Sequence, residues 1–152
     1  MRMFFDEPRP LARERGFTLI EIMVVVIIIG LLAAVIVPQV ITKVDEARVA
    51  KAKQDIQSLE TALTMFRLDN SKYPTTEQGL AALTTQPTDP TIRHWRPGGY
   101  LQHVSKDPWG ADYQYTSPGT HVKDYDLYTL GADGQPGGEG QDADIGNWNM
   151  TD

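Results

Sequence analysis

Two stretches of the sequence carry side chains whose chemistry needs an explanation. The first is Glu21, the one charged residue in the apolar run from Phe17 to Val37, FTLIEIMVVVIIIGLLAAVIV. An Asp, Lys or Arg at the centre of a membrane helix costs about 2.5–3.5 kcal/mol on insertion scales, and a glutamate there raises the same question. Either it has a partner that uses its charge, or it reaches out to the interface. The second stretch is LGADGQPGGEGQDADI, from Leu130 to Ile145, where glycines are interleaved with carboxylates; from Asp124 to Asp152 the chain has no Lys or Arg to balance them. Calcium takes roughly six to eight oxygen ligands from carboxylates and from backbone carbonyls, and glycine lets the backbone turn those carbonyls inward. The segment can supply such a set, or it can be a solvated acidic loop. It is not an EF-hand, because the alternating acidic positions and the closing glutamate are missing.

Other chemistry finds no foothold. With no cysteine there is no disulfide framework, thiolate metal site or cysteine nucleophile. His94, His103 and His121 lack the i, i+4 spacing of a helical metal pair and have no obvious acidic partner, so they read as surface residues. Neither a nucleophile elbow nor a phosphate loop nor a dinucleotide fingerprint occurs. Trp95, Trp109 and Trp148 read as core or cover residues of a small sheet. Fourteen Lys and Arg against twenty Asp and Glu give a net charge of −6, which argues against a nucleic-acid partner.

The elements that must hold these residues are legible in the periodicity. A helix from Phe17 to Val37 is about 31 Å long, matching a hydrocarbon core of roughly 30 Å. Ordinary secretory signals have a shorter apolar region, about 7–15 residues, followed by a cleavage site; here the sequence after Pro38 continues at helical period. Ile56, Leu59, Leu63 and Phe66 fall three and four residues apart on one face. Pro38 removes the amide that would bond the carbonyl of Ala34, so a bend or local opening is expected there, with Gly30 a second weak point. Flanking charge does not fix the orientation, since arginines precede the run and Lys43, Arg48, Lys51 and Lys53 come after it. A cytoplasmic N-terminus is expected because the first sixteen residues are too short to form a domain.

Past Asn70, Tyr73-Pro74 ends the long helix. Thr75 and Gln78 offer a capping box before a short helix GLAALTT, and Pro87, Pro90 and Pro97 mark a loop. Short apolar and aromatic runs then alternate with turns: Gly99 to Leu101, Tyr113 to Tyr115 and Tyr125 to Leu130, with Asp107-Pro108-Trp109-Gly110 and Ser117-Pro118-Gly119 between them. They predict a small antiparallel sheet packed on the Ile56, Leu59, Leu63 and Phe66 stripe, hence an α+β fold.

The junction Arg15-Gly16-Phe17-Thr18-Leu19-Ile20-Glu21 at the head of the apolar helix resembles the type III signal of type IV pilins and pseudopilins. The long helix, the segment YPTTEQGLAALTTQP, the DPWG turn and the LGADG end extend the resemblance over nearly the whole chain, and together they are similar to the major pseudopilins of type II secretion systems. The resemblance implies a pilin-like fold with a leader at residues 1–16, a transmembrane and assembly helix at 17–38, and a periplasmic domain at 39–152. It implies cutting between Gly16 and Phe17 by a membrane aspartyl peptidase, and methylation of the new Phe17 amine.

That amine, on a neighbouring subunit, is then the partner expected for Glu21. An α-amino group with a reference pKa of roughly 7.7–8.0 is largely cationic at neutral pH, and methylation keeps the charge. Four residues place Glu21 about 6 Å along the helix from Phe17. The resemblance also implies Ca2+ in the C-terminal loop, through the side chains of Asp133, Asp142 and Asp144 and the carbonyls of Leu130 and Gln135, with Glu139 in reserve.

The function so implied is a non-enzymatic subunit of a homopolymer, the pseudopilus, that helps drive folded proteins from the periplasm across the outer membrane. Its partners would be minor pseudopilins, the prepilin peptidase and methylase, the inner-membrane assembly platform and membrane lipid. The rivals are a type IV pilin for adhesion or motility and a membrane-tethered calcium-binding domain or enzyme.

Overall fold

The computed structural model describes residues 16–150, and of Pro38 and Gln39 only the backbone. The expected leader, up to Arg15, and the terminal Thr151 and Asp152 lie outside the described residues. A single helix, α1 (Leu19–Asn70), spans 52 residues. It passes through Pro38 without interruption, so the expected opening is not seen. One missing amide bond leaves the helix continuous on both sides of it.

Contacts divide the chain into a unit ending at Val40 and a unit beginning at Ile41. In the first, the described large apolar side chains are all exposed, Phe17 by 80% and Leu31 by 68%. In the second, α1 buries Ala52, Ile56, Leu59, Ala62, Leu63 and Phe66. This is the expected stripe extended by two alanines. A fully buried Leu or Phe contributes about 1.5–3 kcal/mol, so the stripe is the main stabilising surface of the unit. α1 stops at Asn70, where Ser71 takes a left-handed φ of 60° and its N–H bonds the Arg67 carbonyl at 2.7 Å.

The capping box at Thr75 forms as expected: the Thr75 N–H donates to Gln78 Oε1 at 3.0 Å and the Gln78 N–H to Thr75 Oγ1 at 3.2 Å. Beyond it the chain makes a single 3-10 turn at Leu80–Leu83 in place of the helix expected over GLAALTT. Leu80, Ala82 and Leu83 are buried there on the core, and a run of that length is too short to propagate an α-helix. The sheet has three antiparallel strands, β1 (Gln114–Thr116), β2 (Asp126–Thr129) and β3 (Ile145–Gly146), in the order β1-β2-β3. Tyr115 pairs with Leu127 and Thr129 with Ile145. These four residues are all buried against the core or beside it.

Gly99 to Leu101 is not a strand. The N–H groups of Tyr100 and Leu101 both turn onto the Leu83 carbonyl, at 2.7 and 3.2 Å. β3 lies where the sequence reads as the end of a loop. Trp148 lies against it: a Cβ at Gly146 would sit 2.5 Å from the indole ring, so glycine is what fits there.

The irregular alternation of β2 has a local cause. Asp126 is buried because the loop before it closes on its carboxylate: the N–H groups of Thr120, His121 and Val122 all donate to it, at 2.7 to 3.1 Å. Thr129 is buried because its hydroxyl donates to the buried Asp107 of the DPWG turn. Asp107 in turn accepts the N–H groups of Trp109 and Ala111, at 3.0 and 2.8 Å.

Candidate functional site

At the head of α1, Gly16 and Phe17 precede the first helical turn. A Cβ at Gly16 would meet nothing within 4 Å, so nothing in the described fold demands glycine there. Thr18 caps the helix and Glu21 answers it: the Glu21 N–H donates to Thr18 Oγ1 at 3.3 Å, and the Thr18 N–H to Glu21 Oε2 at 3.2 Å. The Thr18 hydroxyl lies 3.4 Å from the same carboxylate oxygen. This is a capping box, Thr-x-x-Glu, satisfying two amide donors that the helix cannot satisfy itself. The pattern stands in the sequence at residues 18–21 in the same form that reveals Thr75 and Gln78. Glu21 therefore has a partner inside its own subunit as well as the one expected outside it.

The C-terminal loop closes on itself by two links. The Ala132 N–H bonds the Gln141 carbonyl at 2.9 Å, and Gly137 and Asp144 bond reciprocally, the Gly137 N–H to Asp144 Oδ2 at 2.9 Å and the Asp144 N–H to the Gly137 carbonyl at 3.0 Å. A Cβ at Gly138 would lie 2.2 Å from the Asp142 carbonyl oxygen, which shows how tightly the two sides of the loop approach.

The five expected ligands share this loop, but the structure does not draw their carboxylates together. Asp133 is exposed and its Oδ1 accepts the Gln135 N–H at 3.0 Å. Asp142 and Leu130 are half-buried, and Gln135 and Glu139 are exposed. Among the described residues no three His, Asp or Glu side chains form a group that could hold a metal ion. One atom stands out: Asp144 Oδ1 is buried and has no hydrogen-bond partner. An unpaired buried carboxylate oxygen is costly. A hard cation would satisfy it, and an oxygen-only donor set is the kind that calcium takes.

Known proteins share both the sequence pattern and the fold. Residues 39–148 match the family described as type II secretion system (T2SS), protein G, and residues 11–37 match the prokaryotic N-terminal methylation motif. The chain belongs to the protein G family of type II secretion systems. It is 55% identical over 144 residues to the type II secretion system core protein G of Vibrio cholerae, covering 95% of this chain and 98% of that one. The corresponding protein of Pseudomonas aeruginosa is 55% identical over 137 residues, covering 90% and 96%. The crystal structure of the major pseudopilin from the type 2 secretion system of enterohaemorrhagic Escherichia coli superposes with a TM-score of 0.61 at 47% identity, covering 70% of this chain and 90% of that chain. The α+β, pilin-like fold expected from the sequence is thus the fold of the protein G family.

In this member of the family, one further constellation escaped the sequence. His121 is exposed, but it has an acidic partner: its Nδ1 lies 3.1 Å from Asp126 Oδ2, and its ring stacks on Trp148 with centroids 4.0 Å apart. The loop before β2 is thereby tied to the segment after β3. No spacing rule finds such a contact, because His121 and Trp148 meet only once the sheet has formed.

Proposed function

We propose that the chain is a major pseudopilin that is cut between Gly16 and Phe17, methylated on the Phe17 amine, and polymerised with copies of itself and with minor pseudopilins into the pseudopilus of a type II secretion system. The polymer helps export folded proteins from the periplasm across the outer membrane. The observation that carries this reading is the division of labour along α1. Its first part leaves every described large apolar side chain uncovered, while its second part is the buried spine of a folded unit. A lipid anchor alone would explain the uncovered half and a Glu21 that caps it; assembly asks in addition for the charge of Glu21. The match to the N-terminal methylation motif supports processing at Gly16. The same reading makes the chain a structural subunit and not an enzyme, a substrate of the prepilin peptidase and methylase, and a client of the inner-membrane assembly platform. It spans the inner membrane once, N-terminus in the cytoplasm and C-terminal domain in the periplasm, which agrees with the apolar helix and the methylation motif.

The reading includes Ca2+ in the 130–144 loop, held by the side chains of Asp133, Asp142 and Asp144 and the carbonyls of Leu130 and Gln135. The orphaned Asp144 Oδ1 and the lack of any Lys or Arg after Asp124 support it. When bound, the ion supplies the positive charge this segment lacks.

Mass spectrometry of the mature chain from membranes tests the reading of the N-terminus. It should begin at Phe17 with a methyl group on the amine, and Gly16→Val should leave the full precursor in the membrane. A mature N-terminus beyond Val37 would show the apolar run to be a removed signal and end the polymer reading.

A further inference from the structure

The folded unit beginning at Ile41 carries complementary features at its two ends. Near its start, a groove of about 570 Å³ lies between α1, at Asp45, Glu46, Val49 and Ala50, and the C-terminal loop, at Gly140 and Gln141. Apolar Val49 and Ala50 are flanked there by two carboxylates, with Lys53 the one cation in the lining. Lys43 sits 2.7 Å from Glu46, and Arg48 sits 3.4 Å from Asp45. Both pairs join residues one helical turn apart through cations that are themselves exposed, a kind that contributes little.

At the other end of the unit, the loop holding Arg93, His94 and Arg96 is pinned to the last turn of α1. The His94 N–H donates to Asn70 Oδ1 at 3.2 Å, Arg96 Nη2 lies 3.3 Å from Asp69 Oδ2, and the Trp95 indole N–H donates to the Ala82 carbonyl at 2.9 Å. The loop is therefore held in place by its neighbours. Arg93 is exposed and has no hydrogen-bond or ion-pair partner among the described residues.

From Glu46 to Asp69, α1 rises about 34 Å at roughly 1.5 Å per residue. The groove and the loop cannot meet within one subunit. In a head-to-tail contact, which uses different patches on the two partners and propagates into a fibre, they meet between subunits. We propose that the Arg93–Arg96 loop of one subunit docks in the Asp45–Glu46 groove of a second copy of this chain further along the fibre, with Arg93 paired to Glu46. This rests on the polymer reading above. It adds a charged register contact between folded units to the contacts of the apolar helices, and like-charge juxtaposition then penalises a subunit added out of step.

The chain has no cysteine, so an engineered pair reports cleanly. The full chain carrying both Arg93→Cys and Glu46→Cys, produced in cells that assemble the fibre and then oxidised, should give a ladder of disulfide-linked multimers. Neither single variant should give one. Arg93→Glu or Glu46→Arg alone should cut the yield of sheared fibres at least fivefold, and the two together should restore it to within twofold. Both side chains are exposed, so the melting temperature of each variant should stay that of the parent. Fibres from the double-cysteine chain without a ladder, single reversals that assemble normally, or a loss the combined reversal fails to repair would each overturn the contact. A cross-link to a protein of different size would overturn the second copy as occupant. Absence of fibres from the unaltered chain would instead bring down the polymer reading itself.

Discussion

Glu21 has one partner in its own helix and a second, proposed one on a neighbouring subunit, and they need different things from it. The Thr18 N–H needs only an acceptor, which glutamine also supplies in a capping box. The Phe17 amine of a neighbouring subunit needs a negative charge. Glu21→Gln should therefore insert and keep its helix start, yet fail to form fibres, as Glu21→Ala should. Fibre assembly by Glu21→Gln at the normal rate would leave capping as the whole of its role. Thr18 to Glu21 was legible in the sequence as Thr-x-x-Glu, whereas the orphaned Asp144 Oδ1 was not, because burial of a single atom depends on how the loop folds back on itself. Asp126 makes a second argument at this scale. Burial pushes its carboxyl up, but the N–H groups of Val122, His121 and Thr120 and the Thr120 hydroxyl outweigh burial and hold it well below the usual carboxylate range. A folded-state value below the unfolded one, roughly 3.9, means the stabilisation is complete above about pH 4 and is lost as pH falls through the folded value. Asp126→Ala leaves those donors without their acceptor and should cost about 1–3 kcal/mol at neutral pH. Urea unfolding of a fragment from Val44 should show that loss at pH 7 and a smaller one near pH 2.

Among the elements, α1 was the most legible. An apolar stripe at period 3.6 specifies a helix and its buried face, and Ile56, Leu59, Leu63 and Phe66 all lie in the core. The strands were harder, because β2 owes two of its buried positions to hydrogen bonds and not to alternation: Asp126 accepts from the loop just before it, and Thr129 donates to the distant Asp107. β3 is two residues long and carries no pattern at all. The C-terminal loop connects β2 to β3, so its closure bears on the edge of the sheet as well as on itself. A cation that binds only the folded state adds about 2.7 kcal/mol at a hundredfold excess over its Kd. Chelation should accordingly lower the melting temperature of the fragment from Val44, and Asp144→Asn and Asp133→Ala should each reduce the calcium-induced rise. A rise retained in full by both variants would remove the loop as the calcium site.

For the whole molecule, the uncovered apolar half of α1 and the folded unit answer to different environments. The first is stable only in lipid or against other such helices, and the second has its own core in water. A chain of this kind can leave the bilayer only by exchanging lipid for copies of itself, which is what a polymer provides. The sequence made the polymer legible through its N-terminal junction, but not the faces by which the folded units touch. Those depend on which charges the fold leaves at each end of the unit. The most direct measurement of the central claim is export in a strain lacking this chain, scored for secreted enzymes in the periplasm and in the medium and, in parallel, for surface motility. Loss of the chain should trap folded enzymes in the periplasm, motility should be unchanged, and the chain supplied in trans should restore export while Glu21→Gln does not. Normal export together with lost motility or adhesion would contradict a role in secretion and make the chain a pilin of the surface kind.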